Sequence, residues 1–309
     1  MYRYLVFIIL SLNFMSAYPI NLFNPTKSDP LLVWDDNVTS SIPKNFRTSC
    51  DAIKSSSFFS IYGLATLSAS GSGQFSASQL NAILPKMKSP IWIIDLRQES
   101  HGFTNHRPVS WYGYENRANE NLSAYEIKNI EADLLSSLQD KNEVNIYTIL
   151  KKNSGHIIDA HDETIHPEEV QSEEQLVNTL GLNYKRFYVQ DRHPPSNEIV
   201  DEFINFVNQL PSNAWLHFHC RAGSGRTTTF LVMYDIIRNA HHVSIDEIIM
   251  RHAALGPKNL AKLPPQEPYW RYLAAKERIE FVYRFYDYYT QFDSNPTLSW
   301  SEWNNQRTD

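Results

Sequence analysis

Cysteine is nearly absent: Cys50 and Cys220 are the only two in 309 residues, so no disulfide framework carries this fold and at most one bridge can form. A bridge between them would consume Cys220, on which the chemistry below depends, so Cys50 is read as an unrelated buried thiol. Positive charge is short as well. The formal net charge is −6, which argues against general attraction to nucleic acid or to an anionic membrane surface. Internal repeats are lacking, and no apolar run beyond the N-terminus is long enough to cross a bilayer. An anionic substrate must therefore meet a local basic pocket.

What is present is a globular composition, 42% hydrophobic and 13% aromatic, sufficient for one large domain or two small ones. Met1-Tyr2-Arg3, an apolar run from Leu5 to Met15 and then Ser16-Ala17 follow the plan of a secretory signal peptide. Residues 1–17 are thus expected to be a leader cut near Ala17, which predicts a secreted or periplasmic protein; delivery into a host cell is equally compatible. Residues 18–41 read as an extended lead-in, and 42–309 as the folded domain.

Within it, Ile91-Trp92-Ile93-Ile94 ending at Asp95 reads as a buried strand, and Arg97 to Asn119 as a long polar loop. Ser123 with Glu126 opens a helix carrying Ile127, Ile130, Leu134 and Leu138. Val144 to Leu150 and Tyr184 to Val189 read as strands on either side of an acidic separator, Asp159 to Glu174. Ser196 caps a helix whose core face is Ile199, Phe203, Phe206, Val207 and Leu210. Ala214 to His219 is an aromatic-rich strand, and Thr229 to Asn239 a helix. Ser244 and Glu247 cap another, and Pro268 suits the first position of a long final helix. Strands interleaved with helices predict an α/β layered domain.

The segment between that strand and helix, His219-Cys220-Arg221-Ala222-Gly223-Ser224-Gly225-Arg226-Thr227, has the makings of a phosphate cradle. A cysteine attacks phosphorus as thiolate, and a helix N-terminus offers backbone N–H groups and the positive end of a dipole to stabilise both thiolate and phosphate. Gly223 and Gly225 let the backbone turn its amides inward. Arg226 supplies a planar fork for two phosphoryl oxygens. Thr227 can donate its hydroxyl to sulfur and ease thiolate departure, and His219 can orient the loop. The leaving alcohol needs a proton, and Asp191, before His193-Pro194-Pro195, is the candidate general acid; His193 is the competitor. The chemistry calls for no metal and no cofactor.

These residues resemble the cysteine phosphatase superfamily, and within it the protein-tyrosine-phosphatase-like inositol polyphosphate phosphatases of bacteria. Trp215 to Phe230, Asp95 to Gly102 and Phe46-Arg47-Thr48 carry the resemblance, which covers about residue 42 to the C-terminus. It implies a protein-tyrosine-phosphatase-like core, a central sheet flanked by helices, with a small partial β-barrel addition drawn from the 100–185 region. It also implies Cys220 as nucleophile, Asp191 as general acid, Arg226 as the phosphate-binding arginine and Arg47 as a substrate contact. A Trp-basic-x6-basic-Ile pattern on the last long helix is matched by Trp270, Arg271, Arg278 and Ile279. Two departures stand out: Arg192 follows the acid where members often carry His, and Arg221 follows the nucleophile where many carry Glu. A second loop arginine suits a polyanion. The expected activity is stepwise, metal-independent removal of phosphates from a small polyanionic substrate such as phytate. A tyrosine, dual-specificity or phosphoinositide phosphatase and a non-catalytic phosphate-binding module are the rivals.

Overall fold

The computed structural model describes residues 29–35, 40–53, 59–153, 156–292 and 297–307; the expected leader over 1–17 lies outside them. In chain order the elements are β1 (Leu31–Trp34), β2 (Arg47–Thr48), β3 (Ala69–Ser72), α1 (Ala77–Ile83), β4 (Ile91–Asp95), β5 (His101–Thr104), β6 (Arg107–Tyr112) and α2 (Ala124–Gln139). They continue with β7 (Val144–Asn153), β8 (His156–Ile165), β9 (Val170–Gln171), α3 (Glu173–Thr179), β10 (Asn183–Arg186) and α4 (Asn197–Gln209). The last are β11 (Trp215–His219), α5 (Gly225–Asn239), α6 (Ile245–Leu255), α7 (Tyr269–Thr290) and α8 (Trp300–Asn305).

Helix starts are written locally. Reciprocal serine and Glu/Gln capping boxes open α1, α2, α3, α6 and α8, and Ser196 caps α4 alone. Each satisfies donors that a helix N-terminus otherwise leaves without partners. The central sheet has the order β10-β4-β11-β3-β2, with β10, β4, β11 and β3 mutually parallel and β2 antiparallel at the edge. Buried on both faces, β4 and β11 are accordingly continuous apolar or aromatic runs. Helix α5 is buried over most of its length and packs on α6, α7 and the sheet. Phe203 lies 5.0 Å from Phe230 and 5.5 Å from Phe187, each such ring contributing roughly 1.5–3 kcal/mol by burial.

A second sheet, β8-β7-β1-β6-β5-β9, is mixed and open. Its β5 and β6 occupy the stretch expected to be a loop, because their buried residues include His101, Thr104 and Ser110, which give no apolar alternation. Likewise β8, β9 and the start of α3 fall in the expected acidic separator. Strand β1 lies within the stretch read as lead-in and sits between β6 and β7. The sheets meet where Phe103 of β5 joins Phe75, Ile93 and Trp215 in one apolar cluster. Helix α5 begins earlier than expected, at Gly225, and Pro268 is the cap of α7 rather than its first residue. Cys50 is exposed, not buried, and both cysteines are free thiols. Among the described residues no helix is long and apolar enough to cross a membrane.

Candidate active site

Strand β11 delivers Cys220 at its C-terminal end, in the middle of the central sheet, and α5 starts at Gly225. The Cys220 side chain is buried and accepts a hydrogen bond of 3.2 Å from the Thr227 hydroxyl. The loop is pulled taut from behind. The carbonyl of Arg221 accepts from the Gln74 amide at 3.2 Å, that of Ala222 from Asn45 Nδ2 at 2.8 Å and that of Gly223 from Arg47 Nη1 at 2.9 Å. In a trans peptide the carbonyl and the following N–H point oppositely, so three outward carbonyls turn the N–H groups of Ala222, Gly223 and Ser224 inward. Gly223 has φ +67°, and a Cβ there would come within 2.2 Å of the Gly73 nitrogen, so only glycine fits.

Arg226 is buried. Its Nη1 donates to the Leu96 carbonyl at 3.2 Å, the Val189 carbonyl at 2.9 Å and Glu99 Oε2 at 2.7 Å. Its Nη2 donates to Glu99 Oε1 at 2.9 Å and lies 3.2 Å from Asp191 Oδ1. Burial works against charge on both partners, but Arg226 and Arg97 outweigh it and hold the Glu99 carboxyl well below the usual range. Asp191 Oδ2 accepts from Asn116 Nδ2 at 3.4 Å. The carboxylate is therefore held at both oxygens above the loop. His193 is tied elsewhere: Arg117 Nη2 donates to its Nε2 at 2.9 Å, and burial together with Arg117 pushes its pKa down.

Cys220 lies at a cavity of about 380 Å³. Its lining holds seven basic side chains, Lys152, Arg192, Arg221, Arg226, Lys258, Arg271 and Arg278, against one acidic one, Asp191. On a chain of net charge −6 this is a concentrated positive field, which draws in polyanions and holds them. A larger cavity of about 650 Å³ lies between α2 and β10. There Lys128, Lys185 and Arg186 are offset by Glu131, Asp140 and Glu174, so charge rather than size singles out the Cys220 cavity.

The lining includes Arg221, Ala222, Ser224, Gly225, Arg271 and Arg278 as well as Cys220, Arg226 and Asp191. Arg271 is exposed on α7, whereas Arg278 is buried. The Nε and Nη2 of Arg278 have no hydrogen-bond partner among the described residues. Burial pushes the Arg278 pKa down to about 10. Four further expected residues, Gly223, Thr227, His219 and Arg47, support the loop and are not among those lining the cavity. Gly223 and Thr227 act as described. His219 Nε2 lies 2.6 Å from Glu173 Oε1. Arg47 is buried, and its Nη2 donates to Thr228 Oγ1 at 3.0 Å while Nη1 holds the Gly223 carbonyl.

Sequence reasoning gave no role to Glu99, Asn116, Lys152 or Lys258. Lys152 comes from β7 and sets its ammonium 3.8 Å over the Tyr112 ring. Burial of the ammonium, then Arg221, pushes its pKa down to about 6. Arg192, known beforehand only as a departure from pattern, has φ +71° and places its guanidinium 4.6 Å over the Trp270 ring. The one legible signal was Glu99 inside the Asp95 to Gly102 match.

Comparison with known proteins agrees with this geometry. The PTP-like phytase family model, described by the words inositol hexakisphosphate, matches residues 94–238. The PTP-like myo-inositol phosphatase from Mitsuokella multacida, solved with myo-inositol-(1,3,4,5)-tetrakisphosphate, is 33% identical with a TM-score of 0.85, over 94% of this chain and 49% of that one. A PTP-like phytase from Bdellovibrio bacteriovorus is 35% identical with a TM-score of 0.71, over 92% of this chain and 97% of that one. Effector protein hopD2 of Pseudomonas syringae pv. tomato is 29% identical over 84% of this chain and 56% of its own length. The chain thus spans about half the length of the Mitsuokella and Pseudomonas relatives. Shared architecture at this identity over nearly the whole of the Bdellovibrio structure places the chain in the family of protein-tyrosine-phosphatase-like phytases.

Proposed function

We propose that the protein removes phosphates one at a time from inositol polyphosphates through a phosphocysteine intermediate. The observation that carries this reading is the cavity over Cys220, with seven basic side chains and a single acidic one. One phosphate sits in the loop on the inward N–H groups and the Arg226 fork, and the remaining phosphates meet the outer cations. The Cys220 thiolate attacks phosphorus in line: the S–P bond forms, the P–O bond to the inositol carbon breaks, and Asp191 gives its proton to the departing oxygen. Asp191, now a carboxylate, takes a proton from water as that water attacks phosphorus. The S–P bond breaks, the pair returns to sulfur, and the Thr227 hydroxyl 3.2 Å away steadies the thiolate. The net change is a phosphomonoester plus water giving an alcohol and inorganic phosphate.

The test is phosphate release from phytate, set beside a phosphotyrosine peptide and a phosphoinositide headgroup. Phytate turnover abolished by Cys220→Ser is the expected result. A wild-type protein inert on phytate at acidic and neutral pH, or one strongly preferring the peptide, overturns the reading. For location, we infer export from the leader pattern over 1–17. The mass of the mature protein recovered outside the cell tests that.

A further inference from the structure

Asp35 is a buried carboxylate beyond the end of β1, far from Cys220 in sequence, and the proposed reaction gives it no task. Its Oδ1 accepts Arg221 Nε at 2.5 Å and the Ser110 hydroxyl at 3.0 Å, while its Oδ2 lies 2.8 Å from Arg97 Nη1. Burying a carboxylate is costly unless partners compensate. Arg97 shares Asp35 as a counter-charge with Glu99, whose Oε1 accepts its Nε at 3.0 Å, while Gln74 Oε1 accepts its Nη1 at 2.6 Å. Arg221 has fewer alternatives. It lines the cavity, and among the described residues only Asp35 and the Tyr112 ring, 5.0 Å from the guanidinium carbon, fix its plane.

The attachment is one-sided. Asp35 engages Nε, and the described residues give the two Nη groups of Arg221 no acceptor. Arg221 belongs to the cavity lining, as does Lys152, whose ammonium lies over the same Tyr112 ring. The phosphate being cleaved is already served by the loop amides and Arg226, which leaves Arg221 for charge elsewhere on the ligand. Burial pushes the Asp35 carboxyl up, but Arg97 and Arg221 outweigh it and keep it below the usual carboxylate range, so the tether is ionic at neutral pH.

Building on the proposed polyphosphate reading, we propose that Asp35 is a positioning residue: through Nε it aims Arg221 at a second phosphate and so favours multiply phosphorylated ligands over simple monophosphates. A lysine at 221 keeps the charge but has neither the Nε that Asp35 holds nor the planar fork. The second sheet thereby reaches the chemistry through a buried carboxylate as well as through Lys152.

The experiment measures inhibition of aryl monophosphate hydrolysis by inositol hexasulfate, a permanently ionised polyanion, and by inorganic phosphate. Asp35→Asn, Arg221→Lys and the double variant are compared with wild type. Each single variant is expected to weaken hexasulfate binding on the order of tenfold, the worth of one charge-assisted hydrogen bond, and phosphate binding by less than about threefold. The double variant is expected to be no weaker than Arg221→Lys, since one residue acts through the other. Equal loss for hexasulfate and phosphate in Asp35→Asn would make Asp35 structural and overturn the proposal. So would wild-type hexasulfate affinity in Arg221→Lys, a substitution at a partly exposed position that decides the matter even if Asp35→Asn fails to fold. Because the reporter is a monophosphate, inertness on phytate would sink the substrate reading without touching this result.

Discussion

Glu99 and Arg226 face each other through two parallel hydrogen bonds of 2.7 and 2.9 Å, with both side chains buried. The pair presets the Arg226 guanidinium: Nη1 is shared with the Leu96 and Val189 carbonyls, and Nη2 also faces Asp191. In the proposed reaction a fork oriented in this way before substrate arrives removes an ordering cost from the transition state.

Removing one member of such a pair strands a buried charge. Glu99→Ala is expected to destabilise the fold by about 3–5 kcal/mol, read as a lower urea midpoint, and to cut kcat as Arg226 loses its alignment. An unchanged midpoint would show that Arg226 finds another counter-charge.

Asp191 is expected to matter in proportion to how badly the leaving group needs a proton. Asp191→Asn should lower kcat on an inositol phosphate by roughly 10²–10⁴, and distinctly less on a nitrophenyl phosphate, whose phenolate leaves unaided. Equal losses on both substrates would argue that the side chain serves Arg226, 3.2 Å away, rather than the leaving oxygen.

The parts of this site that were legible in the sequence are those written over a few consecutive residues. Cys220, the two loop glycines and Arg226 lie between one strand and one helix, and Ser123 with Glu126 announces a helix by its spacing alone. The parts that were not legible are assembled from distant segments. Lys152 reaches the cavity from β7, and Asp35 reaches Arg221 across 186 positions. Strands β5 and β6 escaped because they bury polar residues whose partners, such as Glu131 for the His101 amide and Asp35 for Ser110, are invisible in a local pattern. Arg47 illustrates the converse: the motif identified it, but the fold sets it behind the loop on the Gly223 carbonyl.

Under the proposed function, Arg278 is expected to trade stability for binding. It is buried with Nε and Nη2 unpartnered among the described residues, a costly arrangement that a bound anion would relieve. Arg278→Met is expected to raise the melting temperature of the ligand-free protein and to shrink the further rise that inositol hexasulfate produces in wild type. A lower melting temperature without ligand would mean that the guanidinium is satisfied and structural.

Lys152 is expected to make binding proton-linked. Its ammonium, buried against Tyr112 and beside Arg221, has its pKa pushed down to about 6, so without ligand it is charged below that pH and increasingly neutral above it. A bound polyanion stabilises the ammonium and raises that pKa. Between about 6 and the raised value the complex holds more protons than its separate parts, so binding takes up protons and affinity falls as pH rises through this window. Calorimetry with inositol hexasulfate at pH 7.5, in buffers of differing ionisation enthalpy, is expected to show an uptake approaching one proton per site. Lys152→Met should lose that uptake and bind more weakly at pH 5.5, where the wild-type ammonium is already formed. Identical uptake in the two proteins would assign the linked proton to another group and remove Lys152 from the account.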